Sequence, residues 1–319
     1  MNQTSTTWQV TGLILAVGGL FGATFVLIKI ALTSITPITI ALLRLSIATV
    51  PLVMLVYWKG MRMPRLGRVW GSFTVLGLCN GAIFYLLLNW ASQYIEAGLV
   101  GILVCTAPIL TALLAHWFTG DERLRPTTII GVLLGFAGVV LLLGPEMLLR
   151  LELVGMRPWG VLAMLGAALC AAIAAVHGRV LREVPPLITA TAQQITGTLA
   201  IFPIALVYES PFLLTPRWQD WLAVATAAVM GTSLAYILFF RILAMAGATR
   251  TILVTYVTPF ASVILGALIL GERLSWQAFA ALGLLLLSVG LVSGLVDEVR
   301  LHLRRAAPAL EFGKPNDGE

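Results

Sequence analysis

Ten stretches of about 20 consecutive apolar residues run through this chain, separated by polar segments too short to fold as a soluble domain. Their approximate bounds are Val10–Leu32, Pro37–Tyr57, Val69–Trp90, Ala97–Phe118, Thr127–Gly144, Trp159–Val180, Leu187–Tyr208, Trp218–Phe240, Thr251–Leu270 and Ala278–Val296. At 1.5 Å per residue a helix of that length covers the roughly 30 Å of bilayer hydrocarbon. The runs are continuously apolar, whereas a barrel strand alternates over about ten residues, so helices are predicted and a barrel is not. The expected fold class is an all-α integral membrane protein with ten transmembrane helices.

Two polar positions break this pattern. Lys29 lies in the first run and Arg44 in the second, and a guanidinium does not shed its charge. A cation at bilayer depth faces a water-filled cavity, a counter-charge or backbone carbonyls, so the pair predicts a polar interior.

Composition agrees: 59% of the 319 residues are hydrophobic and 11% charged, with a mean hydropathy of +0.98. The net charge of +6 does not call for a nucleic acid partner. With the N-terminus inside, fourteen of the 20 Lys and Arg residues fall on the inner side and four, Arg150, Arg157, Arg217 and Arg273, on the outer side. That asymmetry predicts both termini in the cytoplasm, in the cell (inner) membrane. All nine tryptophans stand at or near run ends, as an aromatic belt would. Cys79, Cys105 and Cys170 lie inside runs and read as small buried residues, not as disulfide partners. The first run lacks a basic segment before it and a small-residue cleavage site, so it is expected to be retained. The tail 297–319 is basic at first and polar afterwards, and is expected to be cytoplasmic.

The second half echoes the first at a shift of about 150 residues. Pro37 and Pro186 open the second and seventh runs, Pro108 and Pro259 sit within the fourth and ninth, and Gly120-Asp121-Glu122-Arg123-Leu124 recurs as Gly271-Glu272-Arg273-Leu274. Two units are expected, 1–145 and 157–296. Five helices is an odd number, so the second unit enters the membrane in the opposite sense and the two form inverted repeats around a central cavity.

The run Gly19-Leu-Phe-Gly-Ala-Thr-Phe-Val-Leu-Ile-Lys29, the Pro37 to Arg44 spacing and the twice-used Gly-Glu-Arg-Leu after a proline-bearing helix resemble the EamA-type branch of the drug/metabolite transporter superfamily. Within it they resemble the aromatic amino acid exporter (YddG-like) branch. The resemblance covers roughly residues 10–296. It implies ten helices, cytoplasmic termini, a cavity lined mainly by helices 1, 3, 4, 6, 8 and 9, and export of amino acids, other metabolites or amphipathic compounds. The first copy of the motif has one residue more between its proline and its Glu, so the two hinges need not be equivalent.

Few polar groups are available to line such a cavity. Tyr85 and Asn89 share a helix face at i, i+4, and Tyr236 is the counterpart of Tyr85, 151 residues on. With Phe240 and Tyr256 they suggest an aromatic pocket for an amphipathic solute, the alternative being tyrosines that only pack helices. Asn80, His177 and Lys29 complete the candidate substrate-binding set, the alternatives being that His177 meets headgroups and that Lys29 bonds helix carbonyls or snorkels. Gln193 stands seven residues after Pro186, as Arg44 does after Pro37, so the two are read as structural parts of the cavity wall. The substrate is expected nearer Tyr85 and Tyr236 than Arg44. Pro108 and Pro259 each remove a helical hydrogen bond and are candidate hinges. Pairs such as Gly18/Gly22, Gly77/Gly81, Gly131/Gly135 and Gly290/Gly294 have the spacing that lets helices approach closely.

The fourteen carboxylates place none convincingly mid-run. Proton-driven transporters commonly carry one at depth, so uniport or exchange is expected, with proton coupling through Glu96 or a histidine as the alternative. No nucleophile elbow, zinc-binding His-Glu-x-x-His or phosphate-binding loop is present, and no metal, cofactor or enzymatic activity is expected. The expected function is export of small amphipathic metabolites, best read as aromatic or bulky neutral amino acids, by alternating access. A channel or lipid scramblase is the rival of another class. The expected partners are a small-molecule substrate and the lipid bilayer; the protein is expected as a monomer, a dimer being the alternative.

Overall fold

The computed structural model describes residues 3–118, 126–143 and 155–293. Among them every regular element is helical. The ten main helices are α1 (Gln3–Ala31), α2 (Pro37–Trp58), α3 (Arg68–Ala91), α4 (Ala97–Phe118), α5 (Pro126–Leu143), α6 (Arg157–Leu181), α7 (Pro186–Tyr208), α8 (Trp218–Gly247), α9 (Leu253–Leu270) and α10 (Trp276–Val292). Eight are long and apolar enough to cross a membrane; α5 and α10 are apolar but shorter. The tail 297–319, the Gly120–Leu124 copy of the motif and Gly294 lie outside the described residues.

Prolines set several starts. Pro37, Pro126, Pro158 and Pro186 stand in the first turns of α2, α5, α6 and α7, where the missing N–H has no helical partner to lose and φ is already helical. The end of α9 is made by Gly271, whose φ of 68° suits a residue without a side chain. Its turn brings the Glu272 N–H back to the Gly266 carbonyl at 3.2 Å, which aims the Glu272 side chain at the neighbouring helix start.

Several packing partners correspond when helix n is exchanged for helix n+5, although the contacts of α4 with α1 and α10 have no such counterpart. The contact of α1 with α9 has its counterpart in α6 with α4, that of α1 with α8 in α6 with α3, and that of α3 with α7 in α8 with α2. The pairs α2–α7, α4–α9 and α5–α10 map onto themselves. Close approach of backbones makes this possible: a methyl group added at Gly22 would lie 2.7 Å from the Ser262 nitrogen and 2.8 Å from the Thr258 oxygen of α9. Gly18 meets Val257 in the same seam, and Gly77 meets Gly197 between α3 and α7. Gly131 accepts a hydrogen bond from the Ser288 hydroxyl between α5 and α10.

Three helices are irregular where they pass the centre. Helix α3 contains a π turn at Leu78–Ile83, and α8 contains one at Val229–Leu234, 151 residues on. Helix α4 breaks at Cys105, between Ala97–Val104 and Thr106–Phe118. Pro108 accounts for the break, because its ring collides with the Val104 carbonyl and it has no N–H to offer it. Pro259 leaves α9 continuous over Leu253–Leu270, so the two prolines are not structurally equivalent. The carbonyl that Pro259 leaves without a helical donor is that of Thr255, and the Cys105 thiol donates to it at 3.6 Å.

All three cysteines are free. Seven of the tryptophans are exposed on the helical surface, while Trp70 donates to the Pro64 carbonyl at 3.1 Å and Trp90 packs on Tyr94.

Candidate functional site

Where the irregular helices meet, a cavity of about 190 Å³ opens, walled by α1, α2, α3, α4, α8 and α9. Its residues are Phe21 and Phe25 of α1, Arg44 of α2, Asn80, Phe84, Tyr85 and Leu88 of α3, Gly101, Val104 and Cys105 of α4, Tyr236 and Phe239 of α8, and Val254, Thr255 and Thr258 of α9. Helix 6, which the family resemblance implied as a wall, supplies none of these, and α2 supplies a cation in its place.

Aromatic rings line much of the cavity. Phe84 and Tyr85 meet edge to face at 5.3 Å between centroids, Phe21 approaches Tyr236 at 6.4 Å, and Phe240 lies 6.3 Å beyond Tyr236. The Tyr236 hydroxyl faces Tyr85 and the Gln193 amide, with Arg44 close by. The matched tyrosines therefore meet across the centre, as their positions in matched helices predicted.

Arg44 belongs to this cluster and is 4% exposed. Its guanidinium carbon lies 4.3 Å from the centroid of the Tyr85 ring, a cation–π arrangement. Its Nε donates to the Thr232 hydroxyl at 3.0 Å. Its Nη1 is buried with no acceptor. Thr232 is held for this purpose by the α8 π turn. In such a turn the backbone bond reaches five residues back, and here the Thr232 and Ser233 hydroxyls lie 3.4 Å from the Ala227 and Ala228 carbonyls in the same register. Ser233 also donates to the Ala48 carbonyl at 2.9 Å, fastening the turn to α2. The matching π turn in α3 carries Asn80. Irregular helix thus supplies a polar group on either side of the cavity.

Several predicted site residues stand elsewhere. Asn89 shares the Tyr85 face but sits one turn further on, fully buried, where its Nδ2 donates to the Pro37 carbonyl at 3.0 Å. It fastens α3 to the start of α2. Tyr256 is one residue, or about 100° of helix rotation, past Thr255 and so turns from the cavity toward α5 and α10. There it packs on the Ile109, Leu282 and Leu285 cluster. His177 ends the regular part of α6, away from the cavity lining, with a buried Nε2 that has no partner. Gln193 is a buried neighbour of Tyr236 rather than a lining residue.

Lys29 is also outside the central cavity. It borders a separate polar cleft of about 570 Å³ with Thr33, Ser92, Gln93 and Glu272. Its Nζ donates to Glu272 Oε1 at 2.9 Å and to the Ile95 carbonyl at 2.8 Å. Glu272 in turn accepts the backbone N–H of Ala97 at 2.8 Å and of Gly98 at 3.2 Å, the first residues of α4. One carboxylate therefore neutralises the lysine and caps a helix N-terminus whose dipole favours negative charge. The latch joins α1, the α3–α4 turn, α4 and the end of α9.

Among the described residues, three further carboxylates are similarly committed. Glu209 accepts from the backbone of Ile38 and Thr39 at the start of α2, and also from the Thr36 hydroxyl. Asp220 holds the Ser34 and Thr33 hydroxyls, and Glu96 pairs with Arg157 at 3.0 Å. No carboxylate lines the central cavity among the described residues, and no cluster of potential metal ligands occurs among them.

Sequence reasoning missed Phe21, Phe25, Thr232 and the Lys29–Glu272 pairing. The i, i+4 spacing of Phe21 and Phe25 was available as a signal. So was the glycine before Glu272, whose left-handed turn redirects the carboxylate.

Residues 8–144 and 158–294 each match the EamA-like transporter family. An uncharacterized transporter of Synechocystis is 28% identical over 299 residues, 89% of this chain and 89% of its own. The uncharacterized inner membrane transporter YedA of Escherichia coli is 24% identical over 286 residues, 88% of this chain and 90% of its own. A solved crystal structure superposes with a TM-score of 0.64 at 20% identity, over 89% of this chain and 98% of that one, a likeness of fold. With both halves matching one family, the chain belongs to the EamA-like transporter family and is a multi-pass membrane transporter.

Proposed function

We propose that the protein exports small amphipathic metabolites, best read as aromatic or bulky neutral amino acids, through the central cavity by alternating access. The observation that carries this reading is the cavity itself, where Tyr85, Tyr236 and four phenylalanines surround a few polar groups of Asn80, Arg44 and α9. Rings take up the apolar body of a solute and the polar groups replace part of its water. The same lining supports a place near the aromatic amino acid exporter (YddG-like) branch.

Alternating access is supported by the correspondence of packing pairs under exchange of helix n for n+5, which suits two five-helix units of opposite orientation. In such a pair, opening to one side and opening to the other are near-equivalent packings. The Lys29–Glu272 latch then closes one side, and it must part for a solute to pass there. Both termini are cytoplasmic in this reading, in the cell (inner) membrane.

Transport is by uniport or exchange, because no described carboxylate lines the cavity and both Glu209 and Glu272 are engaged at helix starts. Purified protein in liposomes, offered labelled phenylalanine, tryptophan and leucine with and without a pH gradient, tests the reading. Saturable flux, accelerated by unlabelled solute on the far side and independent of the gradient, is expected. Non-saturable flux without counterflow indicates a channel or scramblase, and dependence on the gradient sinks the uncoupled mechanism.

A further inference from the structure

We infer that the cavity recognises its solute by the carboxylate, through Arg44, and places no electrostatic demand on an amine. The inference rests on the transport reading above and narrows its substrate class to hydrophobic carboxylates, amino acids among them. An arginine stays charged in any protein environment, and burying a cation is costly unless its donors are satisfied. Arg44 is buried, yet its partners are a neutral hydroxyl and the face of a ring. Nη1 has no acceptor. Each other cation–carboxylate contact described, at Lys29, Arg157 and Arg217, lies outside this cavity.

A carboxylate entering the cavity supplies both the missing negative charge and the missing acceptor, in the planar geometry that a guanidinium matches. An ammonium entering it finds no carboxylate to pair with among the lining residues. The acceptors it finds are neutral ones, among them the Asn80 amide, the tyrosine hydroxyls and the Thr255 carbonyl, which also faces Cys105. Tyr85 places Arg44 against an aromatic wall, so the acid group and the apolar body of one molecule are read side by side.

The experiment uses the purified full chain in lipid nanodiscs and titration calorimetry with four probes: L-phenylalanine, 3-phenylpropionate, L-phenylalaninamide and phenethylamine. Binding is preferred to flux because a monocarboxylic acid crosses lipid unaided. The two acids are expected to bind within about tenfold of each other, and the amide and amine at least about tenfold more weakly, the effect of one charge-assisted hydrogen bond. Arg44→Gln is expected to erase the advantage of the acids. Should that variant fail to fold, Thr232→Val keeps the charge, removes the hydroxyl that positions the guanidinium and weakens the acids alone by a few fold. Equal binding of amide and acids overturns the inference while leaving an aromatic solute in place, as does binding of phenylalanine without 3-phenylpropionate. Failure of all four to bind overturns both the inference and the amino acid reading.

Discussion

Lys29 and Arg44 stand fifteen residues apart, each in an apolar helix, and as sequence they look like a matched pair of intramembrane cations. Their surroundings differ. Lys29 is 27% exposed and donates to a carboxylate that is only 9% exposed, with a carbonyl as second acceptor. Arg44 is almost fully buried, has a hydroxyl and a ring for company, and keeps one nitrogen without an acceptor. The first charge is neutralised by the protein and ties helices together. The second is left for a molecule that brings its own negative charge. A cation at depth therefore marks a site only after its partners are counted.

The comparison breaks most readily at Glu272. Glu272→Ala removes the ion pair and the cap of α4 together, and is expected to cost about 2–3 kcal/mol, read as a fall in thermal midpoint in detergent. Lys29→Met leaves the cap in place and loses a partly screened pair, so a smaller cost of about 1 kcal/mol is expected in the same measurement. Combining Lys29→Met with Glu272→Gln should cost less than the sum of the two, by some tenths of a kcal/mol or more, whereas Arg44→Met with Glu272→Gln should be additive. Coupling of Arg44 to Glu272 would refute the separation of the two cations.

Arg44→Met is expected to leave the midpoint unchanged or to raise it by up to about 1 kcal/mol equivalent, since replacing a poorly compensated buried charge with an apolar chain is often stabilising. Binding of acidic solutes should fall all the same. A large destabilisation would return Arg44 to the role of structural anchor that the sequence suggested. Gly271→Ala is expected to match Lys29→Met in size, since a side chain at positive φ costs about 1 kcal/mol. Because Glu272 is aimed by that turn, Gly271→Ala should be less than additive with Lys29→Met.

The helices were legible because long apolar runs in a membrane protein have one solution. The bounds of α2, α4, α7 and α9 fall within about two residues of expectation for that reason, proline and glycine marking the ends. Tyr85 opposite Tyr236 was legible from the internal echo. The faces of individual side chains were not, as Asn89 and Tyr256 illustrate: one turn along the axis or one residue of rotation moved each out of the cavity. Glu272 was legible only as a residue at a run end, since its target, the start of α4, is 175 residues away in the chain. Thr232 gave no sign because an ordinary helix wheel assumes a constant 3.6 residues per turn.

That assumption fails at Leu78–Ile83 and Val229–Leu234. Each π turn adds one residue to its helix, so everything beyond it is out of phase with everything before by about 100°. Tyr85 and Tyr236 each come seven residues after the first residue of the turn, at the same offset in phase. Length at these two places works as an angular setting: deleting one residue within 78–83 would leave the composition of α3 nearly untouched yet swing Tyr85 out of the cavity. Variation in this protein is thus to be judged there by the number of residues before their identity.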